Sequence, residues 1–183
     1  GIINIVLKKN KLAGLNGSVS IKVGDPKSYG ASGNLNYRQD KVNFFTNLGV
    51  NTSSFENISN SETEYYVVGR ENNFLTEKGN RDSERNSFYQ NTGIEYFFSE
   101  KTSLVFSYVQ RESDSDDQSI NLINQNFQSQ NRVSQRVENE NEKDNTDELS
   151  INFTHKFSEM GTLTMDYQKE NSNENESGFL NNT

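Results

Sequence analysis

The sequence predicts an all-β protein, namely an antiparallel, up-and-down membrane β-barrel of about seven strands with short periplasmic turns and long extracellular loops. Three observations predict this fold class. An eleven-residue corner occurs twice, at Phe98–Tyr108 and at Phe157–Tyr167. Apolar residues alternate with polar residues in four segments, which is the period of a strand with one apolar face. Short and long connections also alternate along the chain, as they do in barrels that cross a membrane.

The composition distinguishes a barrel from a disordered chain. Only 30% of the 183 residues are hydrophobic and the formal net charge is -8, with a mean hydropathy of -0.93. Disordered chains have this balance, but so do barrels whose strands need only one apolar face. The chain contains 12 Phe and 8 Tyr, whereas disordered chains are poor in aromatic residues. The aromatic content therefore favours a barrel, and the single Pro suits a chain that is mostly strand.

Three short turns allow the alternating segments to be paired with their apolar faces matched. A turn of two residues is predicted at 39–40, and turns of three residues are predicted at 99–101 and 158–160. Because side chains alternate between the faces of a sheet, a slip of one residue would put apolar side chains opposite polar ones. The predicted pairs are Tyr37 with Val42, Asn36 with Asn43, Phe98 with Thr102, Tyr96 with Leu104, and Phe153 with Met165.

Two long stretches separate the short turns, at about 53–83 and 112–146. Both are rich in Asn and in charged residues, so we expect long loops on the side of the barrel opposite to the short turns. The strand-like runs Tyr65–Arg70 and Ile120–Phe127 lie inside these stretches. We interpret the two runs as hairpins that continue above the membrane.

The two predicted faces of the sheet supply the candidate site residues. Aromatic residues cluster beside the short turns, where a lipid-facing barrel carries an interfacial girdle; the core of an ordinary β-sandwich is the alternative. The candidate girdle residues are Tyr37, Phe44, Tyr96, Phe98 and Phe157, and Phe45 and Phe97 belong to the same aromatic cluster. Polar residues of the other face would line the lumen or touch a plug, or else form the wet face of a simple sheet. The candidate lumen-facing residues are Ser20, Lys22, Asn34, Asn36, Arg38, Asn43 and Asn47.

No pattern in the sequence points to catalysis, so we expect that the protein is not an enzyme. His155 is the only His, and neither Cys nor a G-x-S-x-G motif is present. We expect His155 to be an interface residue of the apolar face. No cofactor and no metal site is expected, because the acidic runs at 114–117 and 138–144 are better interpreted as solvated loops than as ligands of a hard cation. The acidic balance argues against binding of nucleic acid.

The amino-terminal segment provides a resemblance to a known family. Gly1–Lys9, with the sequence G-I-I-N-I-V-L-K-K, is followed by Gly14–Val19, with the sequence G-L-N-G-S-V. This order resembles the junction between plug and barrel in TonB-dependent outer-membrane receptors, where the last plug strand precedes the first barrel strand. Three further motifs are similar to Bacteroidetes-type members of that family, namely G-S-x-x-x-x-x-G at Gly17–Gly24, N-L-N-Y-R at Asn34–Arg38, and the corner at Tyr96–Leu104.

The resemblance implies that the seven strands belong to a larger barrel, of about 22 strands, which an amino-terminal plug fills. Residues 1–10 are then the last strand of the plug domain, and residues 11–183 are the N-terminal part of the transmembrane β-barrel. The TonB box, most of the plug and the remaining strands are missing, so we expect the chain to be a fragment. Such a fragment leaves two strand edges unpaired.

The expected function is part of a TonB-dependent transporter in the cell outer membrane that imports a scarce nutrient, such as a siderophore, cobalamin, a glycan or a peptide. The implied partners are outer-membrane lipid, the TonB complex through the missing plug, and an unknown nutrient ligand. The alternative is a small complete outer-membrane barrel that acts as an adhesin or a structural porin. A barrel enzyme and a secreted β-rich surface protein are weaker alternatives.

Overall fold

The chain forms one antiparallel sheet of seven strands in the computed structural model, which describes residues 13–66, 68–69, 72–127, 130–158 and 161–183. The predicted all-β, up-and-down fold is confirmed, since each strand pairs with its neighbours in the sequence. Among these residues no helix is long and apolar enough to span a membrane. The strands are β1 (Ala13–Gly24), β2 (Ser28–Gln39), β3 (Val42–Tyr65), β4 (Asn73–Ser99), β5 (Thr102–Phe127), β6 (Gln130–Ser158) and β7 (Gly161–Asn182).

The long polar stretches are strands, so the prediction of long loops at 53–83 and 112–146 is wrong in its boundaries. Strands β3 to β6 run for 24 to 29 residues each. The connections are confined to the segments between Tyr65 and Asn73 and between Phe127 and Gln130. The run Ile120–Phe127 ends β5, which confirms its interpretation as part of a hairpin. The run Tyr65–Arg70 starts at the last residue of β3 and otherwise falls in the connection, partly outside the described residues.

The turn between β2 and β3 lies one residue later than predicted. Gln39 pairs with Val42, so the two turn residues are Asp40 and Lys41. Asp40 has a φ of 50°, in the left-handed region that Asp tolerates better than most residues do. The predicted pairs Tyr37 with Val42 and Asn36 with Asn43 are therefore wrong by two positions, although the faces stay as predicted because side chains alternate with period two. The observed pairs are Tyr37 with Phe44, Asn36 with Phe45, and Arg38 with Asn43.

The corner that occurs twice in the sequence has the same geometry twice. Tyr96 pairs with Leu104 and Phe153 pairs with Met165, as predicted. The predicted pair of Phe98 with Thr102 is wrong, because the register shifts at Phe98 and Ser99 pairs with Thr102 instead. The second corner shifts in the same way at Phe157, so that Ser158 pairs with Gly161.

Each register shift places a Phe against an aromatic ring of its own strand. The Phe98 ring meets the Tyr96 ring edge to face, with centroids 4.9 Å apart and an interplanar angle of 77°. The Phe157 ring meets the His155 ring with the same angle at 4.6 Å. In the first corner, the Ser99 hydroxyl also accepts a hydrogen bond from the Lys101 backbone N–H at 3.2 Å. A bulge beside a short turn explains why the predicted three-residue turns are two-residue turns with one extra residue in the preceding strand.

The hairpins are displaced regularly along the sheet. One row of paired residues crosses from β3 to β7 through Val42, Tyr96, Leu104, Phe153 and Met165. Val42 is the first residue of β3, whereas Leu104 is the third of β5 and Met165 the fifth of β7. Each short turn therefore extends two residues further from this row than the preceding short turn does. Because successive short turns are two strands apart, the stagger is one residue per strand. In a closed barrel this stagger corresponds to a strand tilt of about 36°.

The sheet is curved, with its polar face on the inside. A cavity of about 850 Å³ is bordered by Pro26, between β1 and β2, and also by Phe179 on β7, which a flat sheet could not hold between them. Asn73, Ser83 and Val109 are buried, with 7 to 8% of their surface exposed. The register places all three on the face that carries most of the polar side chains. We call this face the polar face, and the opposite one the apolar face.

The left-handed backbone of Asp40 makes a prediction for the first short turn. Replacing Asp40 by Val should lower the free energy of unfolding by about 1–2 kcal/mol, because a β-branched side chain is strained at positive φ. Replacing it by Gly should leave stability unchanged or raise it slightly. Urea titration followed by circular dichroism measures both effects. The matched control is Lys41→Val, since Lys41 has no positive φ; equal losses at the two positions would contradict the assignment.

Candidate functional site on the two faces of the sheet

The apolar face carries a hydrophobic row, which crosses all seven strands with one apolar or aromatic residue on each. Its members are Leu15, Tyr37, Phe44, Ile94, Phe106, Ile151 and Tyr167, each paired with the next. Six of the seven are more than a third exposed, from 37% for Phe44 to 67% for Leu15. Contiguous exposed apolar surface of this extent marks a surface that contacts something other than water.

The predicted girdle residues lie on or beside this row, next to the short turns. Tyr37 pairs directly with Phe44, and Val42 pairs with Tyr96 one row nearer to the turns. Phe98 continues from Tyr96 at the first repeated corner, and Phe157 takes the equivalent place at the second. His155 lies beside Phe157, where its Nδ1 is 2.8 Å from the Thr102 hydroxyl. The register thus places these five aromatic residues on the apolar face near the short turns, and their role at a membrane interface stays a prediction.

The predicted lumen-facing residues all lie on the polar face of β1 to β3. The register makes neighbours of Asn34 and Asn47, and of Arg38 and Asn43. Ser20 and Lys22 of β1 pair with Ser32 and Gly30, and Asn36 pairs with Phe45. The side-chain amide of Asn34 donates a hydrogen bond of 2.6 Å to the Ser18 hydroxyl.

Aromatic rings cover part of the polar face near the short turns. The expectation that Phe45 and Phe97 belong to the girdle is wrong, because the register places both on this face. The Arg38 guanidinium lies over the Phe97 ring, 4.3 Å from its centroid, within the range of a cation–π contact. Phe45 lies over Gly93, where a Cβ atom would overlap the ring, so only Gly fits beneath it. Arg38 Nε, Asn43 Oδ1 and Asn91 Oδ1 are buried here without a hydrogen-bond partner among the described residues. The only sequence signal for this cluster is a pair of Phe residues in otherwise polar positions, Phe45 and Phe97.

Arginine residues line the middle of the polar face. Arg81 Nη2 lies 3.1 Å from Asp117 Oδ1, and Arg111 Nη1 lies 3.6 Å from Glu148 Oε2. Arg85 donates a hydrogen bond of 2.8 Å to the Ser113 hydroxyl. Partial burial raises the pKa of Asp117, but the hydrogen bonds from Arg81 and Ser83, together with the nearby positive charges, outweigh burial and hold it below its ordinary value. These contacts tie β4, β5 and β6 together at the long-hairpin end.

An acidic wall, formed by the polar-face carboxylates of β6 and β7, lies next to the arginine residues. It consists of Glu138, Glu140, Glu142, Asp144 and Glu148 on β6 and Asp166, Glu170, Glu174 and Glu176 on β7. Carboxylate oxygens of Glu142, Asp144 and Glu174 lie within 4.8 Å of one another. Repulsion by Asp144 is the main cause that raises the pKa of Glu142, with smaller contributions from desolvation and Glu174. Positive charge on β4 and β5 thus faces negative charge on β6 and β7 across the same surface.

The acidic runs are strands rather than the predicted solvated loops. The signal for this was present, because acids stand at every second residue from Glu138 to Asp144. Such spacing places all four on one face of a strand. The contribution of Glu174 could not be foreseen, since it depends on the pairing of Asp144 with Glu174. The three carboxylates repel one another, and they are also a set that could hold a metal ion.

The apolar face changes character beyond the hydrophobic row, toward the long-hairpin end. It becomes acidic on β4 and β5, at Glu84, Glu112 and Asp116. A second apolar patch follows near the hairpin tips, where Ile120 pairs with Val137. The carboxylates separate the two apolar regions, so the continuous hydrophobic surface is restricted to the short-turn end.

Comparisons with known proteins add little to this description. No protein-family model matches the chain, and a search of curated proteins finds no match. Among solved structures, the chain is similar to one described as "CymD monoaromatic hydrocarbon channel", with 10% sequence identity and a TM-score of 0.20. The alignment covers 93% of this chain and 77% of that chain. A likeness with that TM-score carries no argument, and the site must be interpreted from its own geometry.

The repulsion at Glu142 makes a prediction for the pH dependence of stability. A carboxyl whose pKa is raised on folding destabilises the folded state once the pH rises through that raised value, and it does not at a pH below its ordinary value. Glu142→Gln should therefore raise the thermal unfolding midpoint at neutral pH, and the gain should disappear at a pH below the ordinary glutamate pKa. Scanning calorimetry at the two pH values measures the difference.

The control for this experiment is Glu138→Gln on the same strand and face. Glu138 pairs with Ser119 and Leu180, so removing its charge relieves no carboxylate directly opposite, and it gives up the ion pair with Arg136. A gain at neutral pH that is equal in both variants, or a loss in Glu142→Gln, would contradict repulsion as the cause.

Proposed function

We propose that the chain is part of an outer-membrane β-barrel that imports a scarce nutrient, with lipid against its apolar face and an aqueous lumen against its polar face. The observation that carries this proposal is the hydrophobic row, which places one apolar side chain on each of seven consecutive strands, six of them more than a third exposed. Transfer of each side chain from water to lipid would contribute about 1 kcal/mol or more. A sum over seven strands is comparable to the whole stability of a typical domain.

The dimensions of the apolar face support a membrane span. On β1 the apolar residues run from Leu15 to Val23, and on β3 from Val42 to Val50. Both runs have the 9–11 residues that a tilted transmembrane strand requires. The stagger of one residue per strand gives a tilt of about 36° after closure, within the 35–45° of outer-membrane barrels. The remaining length of β3 to β6 would then extend beyond the membrane on the side of the long hairpins.

The finer proposal is a TonB-dependent importer in the cell outer membrane, and it rests on the resemblance of Gly1–Lys9 and Gly14–Val19 to a plug–barrel junction. Residues 1–10, the proposed last plug strand, lie outside the described residues. The partners in this proposal are outer-membrane lipid, the TonB complex acting through a plug, and a nutrient ligand that the long hairpins select. No catalytic step is assigned, because import needs binding and gated passage rather than a chemical reaction.

A small complete barrel is less well supported by the topology. Within the residues described, β1 and β7 each have one neighbour, and the two strands run in the same direction because five strands alternate between them. Direct closure would therefore require a parallel pair, whereas bacterial single-chain barrels close antiparallel with an even number of strands. A larger barrel provides each edge with an antiparallel neighbour.

A pair of substitutions at adjacent positions tests the assignment of lipid to the apolar face. Phe106 belongs to the hydrophobic row, whereas Ser107 lies on the polar face. Phe106→Arg should weaken insertion into lipid vesicles by about 2–4 kcal/mol, the cost of an arginine that faces lipid near the midplane. Ser107→Arg should have little effect, because its charge would face water. Insertion is measured by denaturant titration in vesicles, and equal losses for the two variants would contradict the proposal.

A further inference from the structure

The outer edge of β7 has no partner strand in the part of the chain that the structure describes. β7 pairs with β6 over Gly161–Asn182 and is the last strand in the order of the sheet. All of its residues after Gly161 are exposed. An edge of 22 residues presents a row of backbone N–H and C=O groups that can pair with another strand.

The carboxylates of β7 all project from one face of this edge strand. Asp166, Glu170, Glu174 and Glu176 are its four acidic residues, and the register places each on the polar face. The only charged residue of β7 on the apolar face is Lys169. A strand that pairs with β7 would therefore place its polar-face side chains beside negative charge alone.

The pairing of β6 with β7 brings like charges together instead of neutralising them. Three carboxylate pairs lie directly opposite one another, namely Glu148 with Glu170, Asp144 with Glu174, and Glu142 with Glu176. Like charges in such pairs destabilise a sheet. In the described residues none of the β7 carboxylates forms an ion pair, whereas Glu138 and Glu148 of β6 each have an arginine partner. Among the described residues, therefore, no cation lies opposite the β7 carboxylates.

We propose that the free edge of β7 binds a β-strand that runs antiparallel to it and carries Lys or Arg opposite Glu170, Glu174 and Glu176 on the polar face. Backbone hydrogen bonds to the edge provide the docking, and cross-strand ion pairs select the partner. The required pattern has three cationic residues, the second two positions after the first and the third four positions after the second. Under the proposed function, this strand is the next one of the larger barrel.

Two synthetic peptides test the charge rule on the whole 183-residue chain, refolded in detergent micelles. In both peptides every second residue is Thr. The two peptides differ only at the three positions of the pattern, which carry Lys in one peptide and Glu in the other. We expect the Lys peptide to bind, as measured by fluorescence anisotropy, and to protect the amides of β7 from hydrogen exchange. The affinity should fall as salt is added, and the Glu peptide should not bind.

Charge-neutral variants then locate the interaction. The triple variant Glu170→Gln, Glu174→Gln and Glu176→Gln should bind the Lys peptide at least about fivefold more weakly, from the loss of three cross-strand ion pairs. The control removes the same charge from the apolar face with Glu84→Gln, Glu112→Gln and Asp116→Asn, and should bind as the parent chain does. Equal binding of the two peptides, or unchanged binding in the first triple variant, would overturn the proposal.

A small cation is the competing occupant of the acidic wall. In that case spermidine would abolish peptide binding, and the peptide alone would not protect the β7 amides from hydrogen exchange. These two results together would mean that the wall binds free polycations and that the strand proposal is wrong. The result of the peptide experiment does not depend on insertion into a bilayer, because peptide binding is measured in micelles. Binding with the predicted charge rule, combined with failure of the Phe106 and Ser107 comparison, would reject only the proposed function.

Discussion

The antiparallel register is the constraint on which the whole structure depends. Neighbouring strands are held together through it, since no second layer packs against the sheet in the described residues. A slip of one residue at any hairpin would move that strand's member of the hydrophobic row to the polar face. The same pairing satisfies the backbone N–H and C=O groups, which a membrane-spanning strand cannot leave without partners. The same register therefore both distributes the side chains between the two faces and pairs the backbone N–H and C=O groups.

Side chains alternate between the two faces along the whole length of each strand, but the types of residue that alternate change along it. Near the short turns, hydrophobic residues alternate with polar ones, as in Leu149 to Phe153 on β6. Toward the long-hairpin end many of the alternating residues are charged, and five of the six carboxylates of β6 lie on the polar face. This change in residue type divides each long strand into a segment suited to lipid and a segment suited to water. It also gives the polar face a field that runs from the arginines of β4 and β5 to the acids of β6 and β7.

The sequence predicted the part of the structure in which hydrophobicity alternates. The pairs Tyr96 with Leu104 and Phe153 with Met165 could be derived, because matched apolar faces leave few registers possible. The bulges at Phe98 and Phe157 could not, since a three-residue turn and a two-residue turn with a bulge give the same pairing farther along the strands. The turn at Asp40 was misplaced for a related reason, as a shift of two positions leaves both faces unchanged.

The polar strands could not be predicted from hydrophobic alternation, because most residues on both of their faces are polar. Asn, Ser and Glu are poor strand formers, and their pairing in β3 to β6 comes from neighbouring strands rather than from local preference. The acidic wall depends on contacts such as Asp144 with Glu174, which no local pattern contains. The placement of Arg38 over Phe97 is of the same kind, since the two residues lie on β2 and β4.

A cysteine scan along β5 tests the central claim that the two faces of the sheet meet different solvents. The chain contains no Cys, so a spin label can be attached at single positions from Ser103 to Val109. After insertion into lipid vesicles, labels at Leu104, Phe106 and Tyr108 should be relaxed by oxygen, and labels at the positions between them by a water-soluble nickel complex. Accessibility that alternates with a period of two in this phase supports the account. Accessibility to the nickel complex that is uniform along the strand, or alternation in the opposite phase, would contradict it.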